Sequence, residues 1–270
     1  MSDTNSYIHG LLVFNPLRES TLREAIRALH LPLGSQGLDA GCGIGLPALL
    51  LAEAVGSGGH VTGLDVTPEF LARGREIVRE AGFSERISFQ EGDVADLPFG
   101  DDAFDWAWST DCVGYGPWEP LSLIKELARV VKPGGIVAIL AWSSEQLLPG
   151  YPLLEARLRA TSAGIAPFVH GKKPEAHFLR AMGWFHKLGM EEPTARVFVG
   201  SACAPLSNEF RDALDALFEM RWPGVESELA PEDLAEFQRL CKPGSPDFIV
   251  NHPDYHAFFT YSMFWGRVLG

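Results

Sequence analysis

An α/β fold, with a doubly wound, mostly parallel sheet and helices on both faces, is the architecture this sequence predicts, on three observations. Short apolar runs alternate with stretches of helical periodicity through residue 142, as βαβ units do. The first such run breaks into a glycine-rich turn, Gly41-Cys42-Gly43-Ile44-Gly45, that leads straight into an apolar helix. The chain has 270 residues at 46% hydrophobic content, ample for a packed core.

A first amphipathic helix is expected to begin near Thr21, where Thr-x-x-Glu (Thr21, Glu24) fits a capping box and Leu22, Ala25, Ile26 and Leu29 form one stripe. Gly37 to Ala40 reads as a short buried strand and Leu46 to Val55, apolar on nearly every side, as a core helix. His60 to Asp65 supplies the second strand. Thr67-Pro68 gives an N-cap and a first-turn proline to a helix whose apolar face (Phe70, Leu71, Ile77, Val78, Ala81) runs to Gly82. Ile87 to Gln90 and Asp105 to Ser109 are the third and fourth strands. Pro120 to Val131 is a helix, closed by Lys132-Pro133-Gly134-Gly135 and followed by the strand Ile136 to Trp142. Beyond Trp142 the spacing is irregular. Helices are expected at Leu153 to Ala163, Glu175 to Leu188, Phe210 to Met220 and Pro231 to Leu240, with strands at Ala195 to Val199 and Ala257 to Trp265. We expect one domain over residues 1–270, in which 20–142 bind the ligand and 143–270 complete the sheet and supply a helical substrate cap.

Composition narrows the function. A formal net charge of −13 opposes the phosphates of nucleic acid, and no dense Lys/Arg run offsets it, so a nucleic-acid partner is not expected. The first twenty residues do not read as a signal peptide and no apolar run approaches the roughly 20 residues of a membrane span, so a cytoplasmic enzyme is expected. Cys42, Cys112, Cys203 and Cys241 are scattered without metal-ligand spacing, which argues against structural zinc, a disulfide framework and thiolate-based arsenic chemistry. No metal site is expected, and oligomeric state is not legible.

In an open parallel sheet, ligands bind beyond the carboxyl ends of the strands, where the winding reverses. Gly41, Gly43 and Gly45 let the backbone approach a ligand closely, and the helix after them favours a carboxylate. Asp65 ends the second strand, 20 positions after Gly45, where it suits a ribose diol. The spacing G-x-G-x-G, with Leu46 in place of a final glycine, departs from the dinucleotide fingerprint. Asp93 in the third loop is placed to accept from an exocyclic amine of adenine.

These segments, with Asp39-Ala40 before the glycines, Gly63-Leu64-Asp65, Gly92-Asp93, Leu97-Pro98-Phe99 before Asp102-Ala103-Phe104-Asp105, and Arg129-Val130-Val131-Lys132-Pro133-Gly134-Gly135, resemble the ordered motifs of class I S-adenosylmethionine-dependent methyltransferases. The sequence is most similar to the branch that includes ubiquinone and menaquinone biosynthesis enzymes and many natural-product methyltransferases. The resemblance covers about residues 20–142. It implies a Rossmann-like seven-stranded sheet with a last antiparallel strand, for which Ala257 to Trp265 is the candidate. It also implies a cofactor-binding set of Asp39, Gly41, Cys42, Gly43, Gly45, Asp65, Val66, Asp93, Val94 and Ser109. Asp39, Gly41 and Gly43 would meet the methionine end, Asp65 the ribose, Asp93 and Val94 the adenine, and Ser109 the neighbourhood of the sulfonium.

The reaction so implied is transfer of a methyl group from S-adenosyl-L-methionine to a small-molecule acceptor, leaving S-adenosyl-L-homocysteine. A sulfonium methyl is already activated, so alignment and water exclusion suffice and a dedicated catalytic residue is not required. Asp111 and Tyr115, after the fourth strand, are the catalytic candidates by topology. His170, His177, His186, His252 and His256 are candidate bases for an oxygen acceptor. The aromatic residues Trp118, Phe168, Trp184, Phe185, Trp222, Phe258, Phe259 and Trp265 line either an apolar pocket or the core. Two other readings stay open: a nicotinamide-dependent oxidoreductase using the same loop, and a non-catalytic protein that keeps the fold and the cofactor site.

Overall fold

The structure, a computed structural model, describes residues 2–114, 119–165 and 174–270. One sheet contains β1 (Gln36–Ala40), β2 (His60–Asp65), β3 (Ile87–Glu91), β4 (Phe104–Thr110), β5 (Val131–Gln146), β6 (Glu191–Cys203) and β7 (His256–Arg267). Their spatial order is β3-β2-β1-β4-β5-β7-β6, mostly parallel with one antiparallel strand. From β1 the chain winds outward to β3, then returns to place β4 on the other side of β1. The switch point therefore lies at the carboxyl ends of β1 and β4, with Asp39 in register with Gly63 on one side and Trp108 on the other.

The chain divides into two compact units. The larger comprises residues 22–142, 172–198 and 261–270. It holds β1 to β4 with α2 (Leu46–Val55), α3 (Pro68–Glu80), α4 (Pro120–Val130) and α7 (Ala181–Lys187). Strands covered on both faces must be apolar throughout. Accordingly β4 is buried at every position except Asp105, while β3, at the sheet's edge, buries only Ile87. Leu38, Leu64, Val94, Leu97, Ile124, Leu127, Ile139, Phe178, Trp184 and Phe264 share its core.

The second unit comprises residues 1–21, 143–171 and 199–260. Its helices include α5 (Pro152–Ala160), α6 (Ser162–Ile165), α8 (Asn208–Arg221) and α9 (Pro231–Cys241). Phe218, Trp222, Phe237 and Phe248 pack edge-on or tilted with centroids 5.4–6.4 Å apart. Glu145 and Arg221 form a buried ion pair beside them, and Arg221 also donates to the Gly164 carbonyl at 3.2 Å. The aromatic residues described are chiefly core: Trp184, Phe185, Trp222 and Phe259 are buried, whereas Phe258 is 39% exposed.

Four expectations about elements change. α1 spans Ser2–Ala28, so Thr21 and Glu24 lie inside a helix and cap nothing. Phe14, Leu17 and Leu22 are all buried along it, and that burial outweighs the break Pro16 would otherwise cause. Lys132-Pro133-Gly134-Gly135 is a bulge within β5 and not a turn before it. Val131 pairs with Phe104 and Ile136 with Trp106, and the Gly134 N–H donates to the Val268 carbonyl at 2.8 Å.

The expected helix Glu175 to Leu188 is broken into 3₁₀ turns at Pro174–Ala176 and Phe178–Arg180 before α7. The Glu175 carbonyl accepts from the Trp184 indole at 2.7 Å, and the Leu179 N–H that would have reached it donates to His177 Nδ1 at 3.2 Å. β6 extends well beyond Ala195 to Val199. It is the other edge of the sheet, where polar positions such as Glu191, Glu192 and Ser201 are exposed, and these hid its ends.

Candidate functional site

Where β1 ends, the N–H groups of Gly41 and Cys42 both donate to the Leu64 carbonyl, at 2.8 and 2.9 Å, and draw the loop across the end of β2. Gly41, Gly43 and Gly45 then follow with φ of 73°, 54° and 76°, left-handed values that favour glycine. A Cβ at Gly41 would sit 2.4 Å from Cys112 Sγ, whereas one at Gly43 would meet nothing within 4 Å. Gly41 is therefore the inner wall of the loop and Gly43 its open lip. Gly45 is the N-cap of α2.

Asp65 ties this loop to the next. Its Oδ2 accepts the Gly43 N–H at 2.9 Å and its Oδ1 the Thr67 N–H at 3.0 Å. A carboxylate oxygen has two acceptor sites, so one backbone donor on each leaves room for a further donor on each. Val66, beside it, is an apolar side chain 59% exposed. The Gly92 N–H donates to the Asp65 carbonyl at 3.1 Å and starts the third loop. There Asp93 Oδ1 accepts the Ala95 N–H at 2.8 Å, and its carbonyl accepts the Asp96 N–H at 3.1 Å. This turn leaves Asp93 exposed and drives Val94 into the core.

Beneath the glycines, Asp39 is completely buried. Burial, then the Asp39 and Asp65 carboxylates, push the Cys42 thiol well above its ordinary range. Burial, then Asp65, push the Cys112 thiol up to about 12. Both thiols are therefore protonated at neutral pH, which suits packing and opposes nucleophilic or metal-binding roles.

At the end of β4, Ser109 donates to the Ala40 carbonyl at 2.8 Å and accepts the Val113 N–H at 3.2 Å, pinning the loop after β4 to β1. Asp111 has a left-handed φ of 51°. Its Oδ1 accepts the Trp142 N–H at 2.9 Å and its Oδ2 the Tyr261 hydroxyl at 3.3 Å. Tyr115, together with Trp118, Phe168 and His170, lies outside the described residues. Of the other histidines, His177 caps a 3₁₀ turn, His252 pairs with Asp254, and His186 and His256 are exposed.

Sequence reasoning missed the roles of three residues. Tyr261 reaches Asp111 from β7, 150 positions away, and nothing local signals that. Glu126 and Arg129 on α4 hold the Leu97-Pro98-Phe99 segment; their i,i+3 spacing with opposite charge was a legible cue to the pair, but not to what it holds. Among the described residues, no group of three or more His, Cys, Asp or Glu is arranged to hold a metal ion. Nor is any helix of the described residues long and apolar enough to cross a membrane.

Residues 38–135 match the family model of the methyltransferase domain. The chain is 36% identical over 128 residues to methyltransferase GfsG of Streptomyces halstedii, covering 46% of this chain and 45% of that protein. It is also 36% identical over 152 residues to the demethylmenaquinone methyltransferase of Bacillus cytotoxicus, covering 55% and 61%. The chain thus spans about half the length of the curated relatives it matches. A methyltransferase structure from Bacillus halodurans aligns at TM-score 0.55 and 16% identity over 92% of this chain and 99% of that one. Geranyl diphosphate C-methyltransferase of Streptomyces coelicolor, solved with Mg2+, geranyl diphosphate and S-adenosyl-L-homocysteine, aligns at TM-score 0.53 and 17% identity, covering 93% and 81%. At these identities the structures show a common fold.

Proposed function

We propose that this chain, whose residues 38–135 match the methyltransferase domain model, is an S-adenosyl-L-methionine-dependent methyltransferase acting on a small-molecule acceptor. One observation carries the reading. The Asp65 carboxylate is fixed by two backbone donors between the Gly43 lip and the Asp93 turn, with an acceptor site left on each oxygen. A ribose diol has the two donors that such a carboxylate accepts. Val66 offers an apolar surface for a purine face, Asp93 an acceptor for its amine, and the glycine lip room for the methionine end. Val94 fixes the Asp93 turn from within the core.

Asp39 and Cys42 lie buried at the base of the glycine loop, and Ser109 sets the end of β4 beside it. Bound there, S-adenosyl-L-methionine supplies an activated methyl group. The chain's part is then to orient the acceptor and exclude water, a proximity effect. Asp111, held by Trp142 and Tyr261, is the acceptor-side positioning residue of this proposal, with Tyr115 its neighbour in sequence. The acceptor is a small molecule, as demethylmenaquinone is for the Bacillus relative, and the net charge of −13 supports that over nucleic acid. The chain works as one methyltransferase domain over 1–270, with cofactor binding in 20–142 and acceptor selection in 143–270.

Calorimetric titration with S-adenosyl-L-methionine and S-adenosyl-L-homocysteine, with a nicotinamide dinucleotide as control, tests the reading. Saturable binding of both adenosyl ligands is expected. Asp65→Ala should weaken it at least about tenfold to a hundredfold, since even one hydrogen bond to a charged group contributes about 1.5–3 kcal/mol. Binding of the dinucleotide alone would replace this reading with an oxidoreductase. Adenosyl binding without methyl loss over a broad acceptor panel would favour a non-catalytic role.

A further inference from the structure

We propose that Glu126 and Arg129, one turn apart on α4, act as a clasp that positions the Asp93 turn and so sets recognition of the base; this rests on the adenosyl site proposed above. Arg129 uses its whole fork. Its Nε donates to both Glu126 oxygens at 3.1 and 3.0 Å, its Nη1 to the Phe99 carbonyl at 2.9 Å and Asp101 Oδ1 at 2.8 Å, and its Nη2 to the Leu97 carbonyl at 3.1 Å. Glu126 Oε1 in turn accepts the Leu97 N–H at 3.1 Å. Both backbone groups of Leu97 are thus held by one ion pair.

Leu97 directly follows the turn from Asp93 to Asp96. The other end of that turn is fixed to the sheet through the Gly92 N–H and the Asp65 carbonyl, 3.1 Å apart. With both ends held, the turn keeps the Asp93 carboxylate where its Oδ1 accepts the Ala95 N–H; with the Leu97 end released, only buried Val94 and that bond restrain it and the turn loosens. Exposed ion pairs seldom fix anything, but this one is bidentate, and its side chains are only 18% and 32% exposed. Hydrogen bonding from Arg129, against a smaller effect of burial, holds the Glu126 carboxyl below its ordinary range, consistent with a pair that persists.

The test uses the full chain as wild type, Arg129→Ala, Arg129→Lys and Glu126→Gln. Amide hydrogen exchange is followed at residues 94–97 without ligand. Affinity is then measured by calorimetry for S-adenosyl-L-homocysteine and for S-inosyl-L-homocysteine, which lacks the exocyclic amine. Wild type should prefer the adenosyl ligand by about tenfold, one hydrogen bond to a carboxylate. In Arg129→Ala, exchange at residues 94–97 should rise while that of β1 and α2 is unchanged, and the preference should fall to about twofold. Arg129→Lys, which keeps the charge and loses the fork, should lie between.

Unchanged exchange and preference in folded Arg129→Ala would overturn the clasp. So would equal weakening of both ligands with the preference kept. Should Arg129→Ala not fold, Glu126→Gln is read by the same criteria. Wild type binding neither ligand would overturn the adenosyl site and with it the clasp's role there; wild type binding both equally would overturn amine recognition by Asp93, and so the clasp's role in it, while leaving the adenosyl site standing. The exchange arm separately reports whether the pair holds the turn.

Discussion

Two glycines two positions apart have different reasons to be glycine, and substitution separates them. Both have left-handed φ, which costs a side-chain-bearing residue about 1–2 kcal/mol. At Gly43 that is the whole cost, because a Cβ there meets nothing within 4 Å. At Gly41 the Cβ also collides with Cys112 Sγ at 2.4 Å, adding an overpacking penalty of about 1–3 kcal/mol. Urea unfolding should therefore show Gly43→Ala losing about 1 kcal/mol and Gly41→Ala about 3 kcal/mol. Adding Cys112→Ala to Gly41→Ala should recover part of the difference. The need for Gly41 was legible in the motif. Its cause was not, since Cys112 lies 71 positions away in sequence.

Among the elements, α8 carries a built-in pH response. Burial, then the Asp212 and Glu219 carboxylates on the same helix, raise Asp215 from 3.8 to about 6, with Arg211 opposing. A carboxyl raised in the folded state contributes stability below its unfolded value, and that stability is lost as pH rises through the folded value. Between pH 3.8 and about 6 the chain should lose stability from this group. Asp215→Asn should then be more stable than wild type at pH 7, by about 1 kcal/mol once solvent screening is allowed for. By pH 4 most of the gain should vanish, and denaturant unfolding at the two pH values checks both sign and window. Elements of strong periodicity, such as α3, α4 and α9, were readable to within a residue or so, because burial of one face imposes the pattern. The break at residues 174–180 was not, because it depends on the Trp184 indole taking the Glu175 carbonyl.

For the whole molecule, ligand binding to the folded state alone must raise stability by mass action. At a hundred times its dissociation constant, S-adenosyl-L-homocysteine should stabilise the chain by about 2.7 kcal/mol, a Tm increase of roughly 5 °C. A nicotinamide dinucleotide at the same concentration should leave the Tm unchanged. Thermal unfolding with each ligand reads this directly, and Asp65→Ala should lose the response.

By itself, the sequence determined the alternation of strands and helices, the switch-point loops and the residues those loops carry. Hydrophobic period, glycine placement and carboxylates at strand ends are local properties of a chain. Only the tertiary structure decided that Asp65 grips the Gly43 N–H, that Asp111 is held by Trp142 and Tyr261, and that Arg129 clasps Leu97. Each of those contacts pairs a side chain with a group 22 to 150 positions away. Such pairings follow from how the sheet stacks its strands, and residue spacing along the chain carries no record of them.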